Sequence, residues 1–102
     1  MNMAARKKSK LKWEDTTTYP RRDETRTPRC WSLKTAGLEL VVHRWMNDTE
    51  NWYMTLSGIL SVDRALLLST DIVAAKQEAI ARVRAKLAAV HKDAQEFLER
   101  AP

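Results

Sequence analysis

From Ile72 to Arg100 the chain contains neither glycine nor proline and is dominated by Ala, Lys, Glu, Arg and Leu, and no other stretch constrains the fold as strongly. Unbranched and small residues lose little side-chain freedom in a helix, so the stretch is expected to be helical throughout. Ser69, Thr70 and Asp71 stand in front of it as three N-cap candidates. Its apolar residues recur at alternating spacings of four and three: Ile80, Val83, Leu87, Val90, Ala94 and Phe97, with Val73 one heptad earlier and only Lys76 interrupting the seam. A stripe on one helix face needs a surface to pack against. About 29 residues at 1.5 Å each span about 43 Å, whereas strands of six to eight residues reach only about 20 to 26 Å. The helix should therefore overhang its sheet. Leu87, Val90, Ala94, Phe97 and Leu98 would then form an exposed apolar stripe, the signature of an interface, with a homodimer as one expected use of it.

Upstream the period changes from helical to two. Trp31 and Leu33 alternate with Ser32 and Lys34, Ala36-Gly37 supplies a turn, and Leu38, Leu40 and Val42 alternate with Glu39, Val41 and His43, which reads as a β-hairpin. Glycine in the second central position suits a type II or bulged loop. A polar connection from Met46 to Asn51 leads to a third alternating run, Trp52, Met54 and Leu56, ended by Gly58. Between Ile59 and Thr70 the pattern is ambiguous, because Ala65 to Leu68 fits a short strand or a helical turn equally. The expected fold is α+β: a three-stranded antiparallel sheet followed by one long C-terminal helix, with a disordered basic N-terminal arm. Residues 1–29 form the arm and residues 30–102 the β-β-β-α module.

Charge supports that division. Residues 1–29 hold nine cations, Arg6, Lys7, Lys8, Lys10, Lys12, Arg21, Arg22, Arg26 and Arg29, against Glu14, Asp15, Asp23 and Glu24. That segment alone accounts for the net charge of +5, because cations and acids balance from Cys30 onward. A cationic arm requires an acidic partner, and nucleic acid is the foremost candidate. The single cysteine, Cys30, excludes an intramolecular disulfide and fits a reducing compartment. No apolar run approaches the roughly 20 residues of a membrane span, so a cytoplasmic location with no membrane partner is expected.

If Trp31, Leu33, Leu38, Leu40, Val42, Trp52, Met54 and Leu56 face the helix, the other sheet face presents Ser32, Lys34, Val41, His43, Trp45, Tyr53, Thr55 and Ser57. Aromatic rings, an imidazole and an amine on a sheet are the chemistry that stacks bases or bonds their edges, and Trp45 with Tyr53 would also form a cross-strand pair. Arg44 falls on the core side by strict alternation, so it is expected at a strand end or beyond a bulge, with its guanidinium reaching water. Catalytic chemistry is not evident: His43 and His91 lack a nucleophile or carboxylate at a suggestive spacing, two glycines make no phosphate loop, and Asp48 with Glu50 suits a turn. No enzyme, cofactor or metal is expected.

Three antiparallel strands followed by a helix, with a basic arm in front, resemble the arm-type DNA-binding domains of phage integrases and the related AP2 domains over roughly Cys30 to Lys92. The resemblance implies a sheet face entering the major groove, although the strand arginines of those domains are reduced here to Arg44 and Arg29. The spacing of Trp31, Gly37, Val42, Trp52, Gly58 and Ala75-Lys76 also looks like that of small phage and mobile-element proteins, some of them inhibitors of host defence. Two functions follow as expectations. One is nucleic-acid binding, with the nine arm cations on phosphates, His43, Trp45 and Tyr53 on bases, and Lys34 and Arg44 as further binding residues. The other is a phage-type protein-interaction or inhibitor module working through the long helix and the aromatic sheet face.

Overall fold

The computed structural model describes residues 10–19, 21, 26–45 and 48–102. Its strands are β1 (Glu14–Asp15), β2 (Cys30–Lys34), β3 (Leu38–His43), β4 (Tyr53–Gly58) and β5 (Val62–Leu66), followed by one helix, α1 (Ile72–Arg100). They pair in chain order as an antiparallel five-stranded meander. The α+β class and the long C-terminal helix hold, and the count of three strands is corrected to five. One added strand, β1, lies within the stretch expected to be a disordered arm. Arg6, Lys7, Lys8 and Arg22 lie outside the described residues.

Register explains the core. Trp31, Val42, Met54 and Ala65 form one cross-strand row, and Leu33, Leu40, Leu56 and Val62 form the next. Side chains directly opposite in neighbouring strands share a face, so both rows point to the side covered by α1. Leu40, Val42, Trp52, Met54, Leu56 and Leu67 are buried there with Ala75 and Ala79 of the helix. The small side chains of Ala75 and Ala79 let the helix backbone approach the sheet closely. Val73 is turned away and 60% exposed, so the buried seam runs through Ile72, Ala75, Ala79, Ile80 and Val83. Lys76, the interruption in that seam, places its ammonium 3.7 Å from the Trp31 ring centre and 5.4 Å from that of Trp13. The cation is held by aromatic faces, and burial pushes its pKa down.

Side chains tie down the irregular segments. The Thr17 hydroxyl accepts the backbone N–H groups of Arg29 at 2.8 Å and Cys30 at 2.9 Å, and Thr16 N–H donates to the Cys30 carbonyl at 2.9 Å. Trp13 packs against the core beside this short ladder. At the other edge, Asp63 and Arg64 stand opposite the single residue Thr55, a β-bulge that leaves Arg64 at φ 46°. The chain then runs into α1 through Leu67, whose N–H donates to the Trp52 carbonyl at 2.9 Å. Glu78 reaches back to accept Leu68 N–H at 2.9 Å and Ser69 N–H at 2.8 Å. Asp71 is the N-cap among the three candidates, accepting Ala74 N–H at 3.1 Å.

The expected overhang is present. Ile80 and Val83 are the last helix residues packed against the core, and every residue from Ala88 onward is exposed. Among the described residues no helix is long and apolar enough to cross a membrane.

Candidate functional site

Only one sheet face is covered by α1. On the opposite face the pairings align Glu14, Ser32, Val41 and Thr55 in one row and Cys30, His43, Tyr53 and Leu66 in another, while Lys34, Glu39 and Ser57 end the sheet. Among the described residues no helix or strand packs over this face. At the β1 edge Thr16 leans onto it, its hydroxyl 3.0 Å from that of Ser32 and 3.2 Å from the Cys30 sulfur. Ser32 is buried as a result.

Aromatic groups gather at the end where β3 leaves the sheet. His43 and Tyr53 are cross-strand partners, stacked with ring centres 6.2 Å apart. This pair takes the place expected for Trp45 and Tyr53, because β3 ends at His43 and Trp45 lies beyond the ladder. His43 Nε2 is 2.9 Å from the Thr55 hydroxyl and Nδ1 is 3.4 Å from the Arg44 carbonyl. A carbonyl only accepts, so the neutral ring carries its proton on Nδ1 and accepts from Thr55. Burial lowers the His43 pKa, and the nearby Arg64 charge lowers it further against the Arg44 carbonyl. At neutral pH the ring is an uncharged stacking surface.

Tyr53 donates its hydroxyl to Asp48 at 2.9 Å. Asp48 also accepts the backbone N–H groups of Glu50 and Asn51, both at 3.0 Å, and the Asn51 amide at 2.9 Å. Those donors hold its carboxyl well below the usual range, and Asp48 in turn raises the Tyr53 phenol. Asp48 is thus the turn residue its sequence context implied, and it also anchors the ring that extends the stacking surface.

Trp45 stays 48% exposed, with the Arg64 guanidinium 4.2 Å from its ring centre. Two shallow clefts meet at this ring: one is lined by Tyr53, Asp63 and Arg64, the other by Thr17, Arg29, Cys30 and His43. Asp63 lies 3.5 Å from the Arg64 guanidinium. The bulge therefore delivers a cation to an exposed indole, the re-aiming that bulges commonly perform.

The expected residues separate accordingly. His43, Trp45, Tyr53 and Arg29 come together; Lys34 lies at the far end of the same face, and Lys10, Lys12, Arg21 and Arg26 are exposed. Arg26 lies over the Tyr19 ring at 4.1 Å. Arg44 follows the last residue of β3, the first of the two expected positions, and its guanidinium lies 4.2 Å from the Trp52 ring centre and donates to the Thr49 carbonyl. Sequence reasoning missed Arg64, since nothing in Val62-Asp-Arg-Ala65 announces a bulge. Leu87 is half-buried at the rim, and Val90, Ala94, Phe97 and Leu98 are exposed on the overhang. Among the described residues no three His, Cys, Asp or Glu side chains are grouped to hold a metal ion. No protein-family model, no curated protein and no solved structure matches the chain, so the chemistry of these residues alone must carry the functional reading.

Proposed function

We propose that the protein binds single-stranded nucleic acid across the open sheet face. Bases stack on Trp45 and on the His43–Tyr53 pair, while Arg64, Arg29, Lys34 and the basic N-terminal segment neutralise phosphates. The observation that carries this reading is the exposed Trp45 ring beneath a guanidinium, beside two further aromatic rings, on a sheet face that no helix or strand covers among the described residues. Stacking on an aromatic ring is indifferent to base identity and contributes about 1 to 3 kcal/mol per base. Reading a duplex groove instead requires long side chains free to reach base edges. Arg44 is engaged with Trp52 and Thr49, which favours strands over grooves. The exposed half of α1 favours a second, protein-directed role, either as an interaction or inhibitor module or in self-association.

The test is fluorescence anisotropy with a labelled mixed-sequence oligonucleotide, as DNA and as RNA, over a series of salt concentrations. Binding should weaken steeply with salt, and Trp45→Ala should cost about 1 to 3 kcal/mol at each salt concentration. Replacing Arg21, Arg22, Arg26 and Arg29 by Ala should flatten the salt dependence, each lost phosphate contact removing a slope of about 0.7. Absence of binding at low salt, or a Trp45→Ala protein that binds like wild type, contradicts the proposal.

A further inference from the structure

We infer that the cleft between Trp45 and β2 is a site for one nucleotide, with its base on the free surface of the indole and its phosphate at Arg29 and Thr18. The inference rests on the nucleic-acid reading and deepens it, because it assigns the anchoring nucleotide to one of the two clefts that meet at Trp45.

Geometry separates those clefts first. Trp45 lines both, and only the cleft on the β5 side includes Arg64. The Arg64 guanidinium, 4.2 Å from the ring centre, occupies one face of the indole. A flat base is left the surface that looks toward β2. The cleft on that side has a volume of about 410 Å³, within the roughly 300 to 1,000 Å³ of small-molecule sites. His43 lines it as well, and its ring, stacked on Tyr53, adds a second flat wall beside the indole.

Charge separates them further. On the β5 side Asp63 lies 3.5 Å from the Arg64 guanidinium, and Tyr53 is bonded to the Asp48 carboxylate. A phosphate entering there meets a cation already balanced by an acid. The β2-side cleft is lined by Arg29 and Arg44 and, among the described residues, by no acid. Arg44 is committed to the Trp52 ring and the Thr49 carbonyl. Arg29 is exposed and forms no ion pair among the described residues. Its backbone is nevertheless fixed on both sides, the N–H donating to the Thr17 hydroxyl at 2.8 Å and the carbonyl accepting Arg44 N–H at 3.0 Å. Thr17 spends its hydroxyl on that ladder, whereas the hydroxyl of exposed Thr18 has no hydrogen bond among the described residues. A pinned backbone that presents an uncommitted guanidinium beside an uncommitted hydroxyl supplies the donors that phosphate oxygens accept from. One free ring surface and one donor pair are what a single nucleotide requires. A longer strand continues from this cleft over the His43–Tyr53 pair toward Arg64.

Titrating the isotope-labelled full chain with adenosine monophosphate, with adenosine and with inorganic phosphate, and following amide and indole N–H resonances, tests this. The monophosphate should move the Trp45 indole and the Thr18, Arg29 and Cys30 amides. It should bind about tenfold more tightly than adenosine or phosphate alone, the increment of one charge-assisted hydrogen bond. Arg29→Gln should bring the monophosphate down to the affinity of adenosine, and Trp45→Ala should weaken both. A free nucleotide and a nucleotide within a strand offer the same chemistry, and a hexanucleotide compared with the monophosphate separates them. Binding of the hexanucleotide tighter by on the order of tenfold or more, as further bases stack, marks the strand as the ligand. Equal affinities mark the free nucleotide, which keeps the cleft and overturns the strand reading. A monophosphate that binds no more tightly than adenosine, that shifts only Asp63 and Arg64, or whose affinity survives Arg29→Gln overturns the inference. A hexanucleotide that still binds in that case leaves the proposed function standing.

Discussion

Arg64 shows how a single residue ties local strain to the site. A non-glycine residue at φ 46° costs about 1 to 2 kcal/mol against the right-handed region, and such conformations persist where surrounding structure imposes them. Here the bulge imposes it, and the return is a guanidinium over Trp45. Arg64→Gly should remove the strain together with the cation. Its thermal stability should stay within about 1 kcal/mol of wild type, while oligonucleotide affinity falls and the salt slope flattens. A variant that binds normally would show that Arg64 serves only the bulge. Gly58 is the opposite case, a conformation that glycine holds without strain and that no side chain could share. At φ 121° a Cβ there would stand 2.1 Å from the Gly37 carbonyl oxygen. Gly58→Ala should therefore cost several kcal/mol, on the order of the largest single-site effects, and denaturant unfolding would measure it.

Among the elements, only some strands announce themselves in the sequence. β2, β3 and β4 were legible because their apolar residues alternate and one face is buried, and α1 because helix-forming residues, a capping aspartate and a stripe agree along its length. β1 was not legible: it is two acidic residues, and what holds it is hydroxyl bonding from Thr16 and Thr17 to Cys30, which leaves no periodic trace. β5 was hidden by its bulge, since Asp63 and Arg64 push Val62 and Ala65 out of the alternation that would have marked a strand. The same bulge concealed Arg64 as a site residue, and the end of β3 at His43 moved the stacked pair by two residues from Trp45. β1 also changes an expectation about stability, because Trp13 packs on the core and faces Lys76. Trp13→Ala should cost about 1 to 3 kcal/mol, in proportion to partial burial, and lower the melting temperature by about 4 to 8 °C per kcal/mol in a chain of this size. An unchanged melting temperature would show that the segment adds nothing to the fold.

For the whole molecule, charge sets the response to pH and salt. Glu78 is pushed up by burial, but the Leu68 and Ser69 N–H groups and Arg82 outweigh that and hold its carboxyl below its ordinary value. The side-chain bonds of Thr17 and Tyr19 do the same for Asp15. Both groups titrate lower in the fold than in the unfolded chain, so their stabilisation is complete above the usual carboxylate range and fades as pH falls through their lowered values. His43 acts in the same direction at higher pH. Burial lowers its pKa from 6.5, the unfolded chain takes the proton first, and stability begins to fall once pH drops below that value. His43→Gln should flatten the decline of melting temperature between neutral and mildly acidic pH while leaving the carboxylate-dependent fall at lower pH.

The proposed function has a definite location, the open sheet face at the Trp45 end. Titrating isotope-labelled protein with a single-stranded oligonucleotide and following amide and indole N–H resonances tests that most directly. The largest shifts should fall on the Trp45 indole and on the backbone of Cys30, His43, Tyr53 and Arg64, with Val90 to Phe97 unmoved. Shifts confined to the overhanging helix, or a spectrum that does not change, would contradict it.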